Sequence, residues 1–280
     1  MPKGISLHIG LNSVDASHYA DWAGPLNACE TDANDMGDLA SSRGFETTMK
    51  LTARQATRDA VKRAIRNAAH ELESGDMFLL TYSGHGGQVP DRTGDEDDRW
   101  DETWCLFDAQ LLDDELYELW GEFAAGVRIL VISDSCHSGS AVRAPSLVDP
   151  DCLNKGSTAE NLGVAGARYR FMPRSTAEDV YRLNREFYES LQAGKTPPTD
   201  PAASVRLISA CQDNQLALDG RRNGFFTSTL LTVWDDGRFK GDYRQFHARI
   251  QARMPSTQSP NHMVVGGHSP AYDAQVPFTI

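Results

Sequence analysis

Short apolar runs alternate with stretches of helical periodicity along most of the chain. The apolar runs predict buried strands at residues 4–11, 45–51, 77–82, 127–133 and 204–210. Helical spacing predicts helices at 27–42, 54–73, 112–123, 224–234 and 242–254, with Thr52 as the expected N-cap of the second. This alternation is typical of an α/β fold in which helices cover a mainly parallel sheet.

Residues 141–202 interrupt this pattern. They are rich in Gly, Pro and polar residues, and they contain one further helical stretch at 176–191. Such a segment is expected as a long insertion or exposed linker, because it lacks the apolar positions of a second core. We therefore expect a single domain over residues 1–280.

Three of the predicted strands end abruptly in small polar loops. These loops are YSGHGGQ at 82–88, DSCHSGS at 134–140 and CQDNQ at 211–215. In an open α/β sheet, ligands bind beyond the carboxyl ends of the parallel strands. The chemistry of this protein is therefore expected at that edge.

The first of these loops carries His85 and the second carries Cys136. Cys136 and His85 each lie just past a predicted buried strand, about 50 residues apart, so neighbouring parallel strands would bring them together. A thiolate with a nearby imidazole is the minimum for cysteine-based acyl transfer. The glycines around His85 allow close approach of a substrate, and the amides of Gly86 and Cys136 are the expected oxyanion donors.

The amino-acid composition limits which partners, which location and which structural cross-links are expected for this protein. The net charge of −12 argues against nucleic acid, because phosphate binding needs a basic surface. No stretch approaches about 18 consecutive apolar residues, and the N-terminus has no secretory pattern, so we expect a cytoplasmic protein without a membrane span. The five cysteines are irregularly spaced and form no C-x-x-C pair, which disfavours a disulfide framework and a structural zinc site.

The two loops resemble the His and Cys boxes of metacaspases, and GDEDDRWDE at 94–102 resembles the acidic segment that follows the His box in that family. The caspase signature Q-A-C-[RQG]-G is absent. The resemblance implies a caspase-like three-layer sandwich with helices on both faces of the sheet. It also implies that Cys136 attacks the scissile carbonyl, while His85 protonates the leaving amine and later activates water.

The same resemblance places the pocket for the residue before the scissile bond at Cys29, Asp32, Ser83 and Asp134. Strand alternation agrees, since residues 134 and 83 each lie two positions before a catalytic residue and so share its side of the strand. Two carboxylates would hold a guanidinium or ammonium and repel an acidic side chain. We expect peptide or protein substrates with Arg or Lys at the cleavage site, although Asp32 could instead stabilise a helix N-terminus and Asp134 a turn.

The stretch 91–118 contains twelve Asp or Glu residues and two Arg. Oxygen ligands at this density suit calcium, and the resemblance to calcium-dependent metacaspases points to Asp97, Asp98, Asp113 and Asp114. Arg143 stands where the family pattern has a further aspartate, and it would repel a cation. We expect that no cofactor is required and keep calcium as an alternative to a solvated acidic loop.

An enzyme that cleaves after basic residues could also cut itself within 141–202, which corresponds to the junction between the large and small subunits of caspases. The candidate cleavage positions in this stretch are Arg143, Lys155, Arg168, Arg170, Arg174 and Lys195. An ordinary surface insertion remains the alternative.

Other functions are less consistent with the sequence. A nucleotide-binding α/β protein would need a Gly-rich phosphate loop, which GLNSVDAS at 10–17 does not provide, and a serine hydrolase would need a G-x-S-x-G elbow. A catalytically silent caspase-fold interaction module stays open as the alternative to an active peptidase. By resemblance to metacaspases, we expect a monomer.

Overall fold

The computed structural model describes residues 2–92, 99–136, 168–193, 199–212 and 215–280. Within these residues, a six-stranded sheet in the order β2-β1-β3-β7-β8-β9 forms the centre of the molecule. Its strands are β1 (Gly4–Gly10), β2 (Thr47–Thr52), β3 (Met77–Ser83), β7 (Arg128–Asp134), β8 (Ser204–Ser209) and β9 (Asn261–Gly266). All neighbours pair in parallel except β8 and β9, which are antiparallel.

Helices cover both faces of this sheet. They are α1 (Cys29–Ser42), α2 (Arg58–Glu71), α3 (Asp113–Trp120), α4 (Arg174–Leu183), α5 (Arg185–Gln192), α6 (Phe225–Trp234), α7 (Tyr243–Gln251) and α8 (Pro270–Ala274). Apolar side chains of α2 and α3 pack against alternate residues of the strands, such as Leu80 and Val131. Residues on the other side of the same strands, such as Leu79 and Leu130, pack with α1, α6 and α7. The strands are buried on both faces, which explains their nearly continuous apolar sequences.

A smaller antiparallel sheet lies in the described part of the chain between β3 and α3. It consists of β4 (Gly86–Pro90), β5 (Trp100–Cys105) and β6 (Gln110–Leu112). Helices α4 and α5 pack against it, with Val180 and Tyr188 buried beside Val89. The second part of the segment predicted as an insertion therefore contributes to a packed core.

The α/β class and the helix-covered, mainly parallel sheet are confirmed. Three details of the sequence prediction are wrong. The second helix is capped by Thr57, whose side chain accepts a hydrogen bond from Ala60 N, whereas Thr52 ends β2. The helix expected at 176–191 is two helices that meet at Asn184. The small sheet and β9 were not predicted, because neither gives an apolar run: the small sheet buries polar side chains such as Asp101 and Glu102, and β9 is partly exposed.

Strands β3 and β7 are neighbours, and their register pairs Ser83 with Asp134. His85 and Cys136 each follow this pair by two residues, so both leave the sheet at the same edge. No helix in the described part of the chain is long and apolar enough to cross a membrane.

Candidate functional site

The backbone of His85 is fixed between the two sheets. Its carbonyl oxygen accepts hydrogen bonds from the Tyr82 hydroxyl at 2.7 Å and from the Cys105 amide at 2.9 Å. Its Nε2 lies 2.8 Å from the carbonyl oxygen of Gly24, and its ring lies 4.7 Å from the ring of Trp22 between centroids. The backbone and two sides of the imidazole are therefore held in place before any substrate binds.

The contact with Gly24 defines the protonation of this imidazole. A carbonyl oxygen only accepts, so Nε2 carries the hydrogen and Nδ1 of the neutral ring is left as a base. Among the described residues, Nδ1 is buried and has no hydrogen-bond partner. Burial lowers the pKa of His85 to about 4, against the opposing effect of the Gly24 carbonyl. The ring is therefore neutral at pH 7, as an acceptor for a thiol proton must be.

The Cys136 backbone lies directly against Gly86. A Cβ added at Gly86 would come within 1.8 Å of the Cys136 carbonyl oxygen, so only glycine fits between the two loops. The thiol of Cys136 is fully buried, and its Sγ accepts a hydrogen bond from the Ala217 amide at 2.9 Å.

The amides of Gly86 and Cys136 point at a single oxygen atom. Both donate to the carbonyl oxygen of Arg170, at 3.0 Å and 3.1 Å respectively. Two backbone donors on one carbonyl oxygen are the arrangement of an oxyanion hole. The structure thus brings together the two donors named from the sequence and places a peptide carbonyl of this chain between them.

The side chain of Arg170 fills the predicted acidic pocket and is completely buried. Its Nη1 donates to Ser83 Oγ at 2.8 Å and lies 3.0 Å from Asp134 Oδ2. Its Nη2 donates to Asp32 Oδ2 at 2.8 Å and to Asp219 Oδ1 at 3.1 Å. Desolvation on this scale is tolerable because the guanidinium is paired on both of its ends.

One wall of this pocket comes from the first turn of α1. The side chain of Asn12 accepts hydrogen bonds from the Cys29 and Glu30 amides, which caps the start of the helix, since Ala28 at the N-cap offers no side-chain acceptor. Cys29 and Asp32 lie on the first turn and are buried toward the pocket. Burial raises the pKa of the Cys29 thiol to about 12, so it serves as an uncharged wall.

The carboxylate of Asp32 is almost fully buried in this pocket. Burial, with a smaller contribution from the nearby charge of Asp134, raises its pKa to about 6, although Arg170 opposes the shift. Asp32 also accepts hydrogen bonds from Ser83 Oγ at 2.7 Å and from the Gly224 amide at 3.0 Å. This carboxylate is therefore ionised at neutral pH mainly because a guanidinium is present.

The backbone around Arg170 pairs with the segment after β8. Arg170 N donates to Ala217 O at 3.0 Å, and Asp219 N donates to Arg168 O at 2.8 Å. On the other side, Met172 N donates to Gly86 O at 2.8 Å. This is how an extended peptide adds to an exposed strand, with the main chain supplying affinity and a pocket supplying specificity.

The predicted calcium ligands are only partly described. Asp97 and Asp98 lie outside the described residues, as do Arg143, Lys155 and Lys195. Asp113 and Asp114 are buried on the first turn of α3, where Asp113 Oδ1 accepts a hydrogen bond from the Asp114 amide. In the described ranges, no group of three or more His, Cys, Asp or Glu side chains is arranged to hold a metal ion. These two aspartates alone do not form a site, and calcium binding remains a prediction.

Sequence reasoning named six side chains that the structure brings to one edge of the sheet, but it missed others. Gly24 and Ala217 act through backbone atoms, which leave no signature in the sequence. Asp219 lies beyond the third polar loop and matches no family motif. Arg170 was one basic residue among several, and only the fold selects it.

The described site is consistent with what comparison of the whole chain finds. Residues 14–277 match the family model described as the caspase domain, so the chain belongs to the caspase family. The fold is similar to that of caspase-1 from Spodoptera frugiperda, with a TM-score of 0.54 at 10% identity over 95% of this chain and 86% of that one.

Within this family, the chain is a metacaspase-like member of the caspase clan. It is 30% identical to metacaspase-1 of Schizosaccharomyces pombe over 81% of this chain, and 32% identical to metacaspase-1 of Coccidioides immitis over the same share. It spans 58% and 53% of the length of those two proteins. A Geobacter sulfurreducens protein of known crystal structure is 51% identical, with a TM-score of 0.86 over 100% of this chain and 99% of that one.

Proposed function

We propose that the protein is a cysteine endopeptidase that hydrolyses peptide bonds after Arg or Lys. The observation that carries this proposal is the position of Arg170. Its guanidinium lies among carboxylates, its carbonyl oxygen accepts from two amide donors, and the residues on either side of it form isolated β-bridges with Leu218 and Gly86. A substrate with an arginine before the scissile bond would use the same three contacts.

The proposed reaction follows from this arrangement. His85 Nδ1 takes the thiol proton, and the Cys136 sulfur attacks the carbonyl carbon. The negative charge that develops on the carbonyl oxygen is stabilised by the amides of Gly86 and Cys136. His85 then gives the proton to the leaving amine, which leaves a thioester on the enzyme. A water molecule deprotonated by His85 then attacks the thioester carbon, the C–S bond breaks to release the acid product, and the Cys136 sulfur takes the proton back from His85.

The test is hydrolysis of two matched fluorogenic peptides that differ only in ending with Arg or Asp, beside the Cys136→Ala variant. We expect cleavage of the Arg peptide by the unmodified chain and none by the variant. Cleavage of the Asp peptide would overturn the specificity. Cleavage of neither, with titration showing that the thiol is intact, would favour a silent caspase-fold interaction module.

We also propose that the chain cuts itself between Arg170 and Phe171. Of the basic residues considered in this stretch, Arg170 is the one that the described contacts seat in the pocket, whereas Arg168 is exposed and Arg174 lies on α4. While segment 168–172 is bound, the same contacts exclude any other substrate. Cleavage would free the Arg170 carboxyl end to leave, so the uncut chain would be a latent form.

Intact mass spectrometry during incubation checks this proposal. We expect fragments that end at Arg170 and begin at Phe171, no fragments from Cys136→Ala, and an unaltered pattern from Arg174→Ala as the matched control. Fragments that end at another basic residue would refute the position. A rate independent of protein concentration would indicate that each chain cuts itself.

Three further properties remain proposals. Peptides and proteins with accessible basic residues are the proposed partners, a monomer is the proposed state, and the cytoplasm is the proposed location. Light scattering of the purified chain checks the second, and a mass corresponding to two chains would contradict it.

A further inference from the structure

Asp219 reaches the same guanidinium as the pocket residues known from the sequence motifs. Its Oδ1 accepts from Arg170 Nη2 at 3.1 Å, and its side chain is only 1% exposed. Its other oxygen, Oδ2, accepts from the Asn27 amide at 2.8 Å. Because its own amide pairs with Arg168, this residue is positioned by both the pocket and the bound segment.

The acceptors are divided between the two ends of the guanidinium. Nη1 faces Ser83 Oγ, the Asp134 carbonyl and Asp134 Oδ2, at 2.8 to 3.0 Å. Nη2 faces Asp32 and Asp219. A lysine ammonium has a single nitrogen, so it could pair with the acceptors of one end and would leave buried carboxylates unpaired at the other.

Gly224 closes the pocket around the flat group. A Cβ at this position would lie 2.5 Å from Nη2 of Arg170 and 2.4 Å from Asp134 Oδ2. The Gly224 amide also donates to Asp32 Oδ1 at 3.0 Å. On this side the pocket is therefore bounded by backbone, and a side chain at position 224 would take the space that the planar guanidinium occupies.

We propose that Asp219 is a third specificity carboxylate, and that with Asp32 and Asp134 it makes this pocket select arginine over lysine. This inference rests on the proposed function, which by itself allows either residue before the scissile bond. Asp219 supplies the second acceptor for Nη2. A ligand with one cationic nitrogen cannot pair with the acceptors of Nη1 and with this acceptor at the same time.

The kinetic test compares matched peptides that end in Arg and Lys. We expect the unmodified chain to prefer Arg by about tenfold or more in kcat/KM. Asp219→Asn should reduce kcat/KM for Arg by about 10- to 100-fold, the value of one charge-assisted hydrogen bond, and by much less for Lys. Asp35→Asn removes a charge near the pocket that faces Asn223 instead of the guanidinium, so it should leave the Arg-to-Lys ratio unchanged.

A second measurement does not depend on catalysis. In the Cys136→Ala chain, the denaturation midpoints of Arg170→Lys, Asp219→Asn and the double variant form a double-mutant cycle. We expect Arg170→Lys to lower the midpoint, and to lower it less when Asp219→Asn is present. Independent effects of the two changes would overturn the inference.

The two measurements separate the two proposals. If the unmodified chain cleaves neither peptide but the cycle shows coupling, the proposed activity fails while the selectivity of the pocket stands. Equal cleavage of Arg and Lys peptides would refute the selectivity and leave the peptidase proposal intact. An equal loss for both peptides in Asp219→Asn, in samples that mass spectrometry shows to be cut after Arg170 as fully as the unmodified chain, would mean that this residue supports the loop and does not read the side chain.

Discussion

The charge balance of the pocket makes the stability of the chain depend on Arg170. Three carboxylates lie within 2.8 to 3.1 Å of its guanidinium, and the side chain has no exposure to solvent. Arg170→Met keeps much of the volume and removes the charge. Removing one partner of a buried ion pair typically costs about 3–5 kcal/mol, because the other partner stays buried without a counter-charge.

We expect Arg170→Met to lower the free energy of unfolding at pH 7 by about 3 kcal/mol, toward the lower end of that range, since protonation of Asp32 relieves part of the repulsion. Denaturant unfolding in the Cys136→Ala background measures this without self-cleavage. Arg168→Met is the matched control. The Arg168 side chain is exposed and donates to the Pro25 carbonyl, so we expect a change of about 0.5 kcal/mol or less.

The stability that Arg170→Met loses relative to the unmodified pocket, called the deficit below, should depend on pH in a defined direction. Burial raises the pKa of Asp32 to about 6 with the guanidinium present, and removal of the guanidinium raises it further. An aspartate whose native pKa lies above its unfolded value binds a proton first in the native state, so acidification from pH 7 to 5 stabilises the native state. The deficit of Arg170→Met should therefore shrink at pH 5. An unchanged midpoint at pH 7, or a deficit that grows at pH 5, would refute the assignment of a buried guanidinium.

Four further results are expected. Gly24→Ala should reduce kcat by about tenfold or more, because Gly24 has a φ of +51° and a Cβ would lie 2.8 Å from His85 Nε2; kinetics on an Arg peptide measure this, and an unchanged kcat would count against the role of Gly24. The value of kcat/KM for that peptide should begin to decline above pH 6 as pH falls, because the pKa of Asp32 is about 6 beside Arg170 and higher in a pocket without a guanidinium. His85, with a pKa of about 4, is still neutral there, and a decline that begins only near pH 4 would contradict this order. Activity should persist in excess chelator, since Arg143 replaces a family aspartate, and loss of activity restored by calcium would show a metal requirement. Thr57→Ala should lower the free energy of unfolding by about 1 kcal/mol, because a helix N-cap is lost, as thermal unfolding would show.

Much of the large sheet could be predicted because its strands are buried on both faces. Such strands need continuous apolar residues, as in MFLLTYS and RILVISD, and they are visible in a single sequence. The small sheet has a mixed pattern in GGQVP and WDETWC, because several of its buried positions carry polar side chains, such as Asp101 and Glu102. The helix boundaries shifted by a few residues where capping side chains, such as Thr57, decided the start.

The sequence by itself determined the candidate reacting groups of the site. A cysteine and a histidine that each follow a buried strand, with aspartate and serine two positions before them, define a pair and part of a pocket through local geometry alone. The assignment of the Gly86 and Cys136 amides as oxyanion donors follows from the same reasoning. These features depend on residues that lie a few positions apart, and the relative positions of such residues within a strand can be predicted from the sequence.

Only the tertiary structure decided which distant groups complete the site. Gly24 meets His85 through a carbonyl oxygen, and Asp219 meets the pocket from a loop after β8. Of the three candidate basic residues that the structure describes, Arg168, Arg170 and Arg174, it is Arg170 that enters the pocket. These contacts join segments separated by 49 to 138 positions, and they depend on how the chain crosses the sheet. Carbonyl oxygens and single aspartates carry no distinguishing sequence signal, so their roles arise from the fold and not from their residue type.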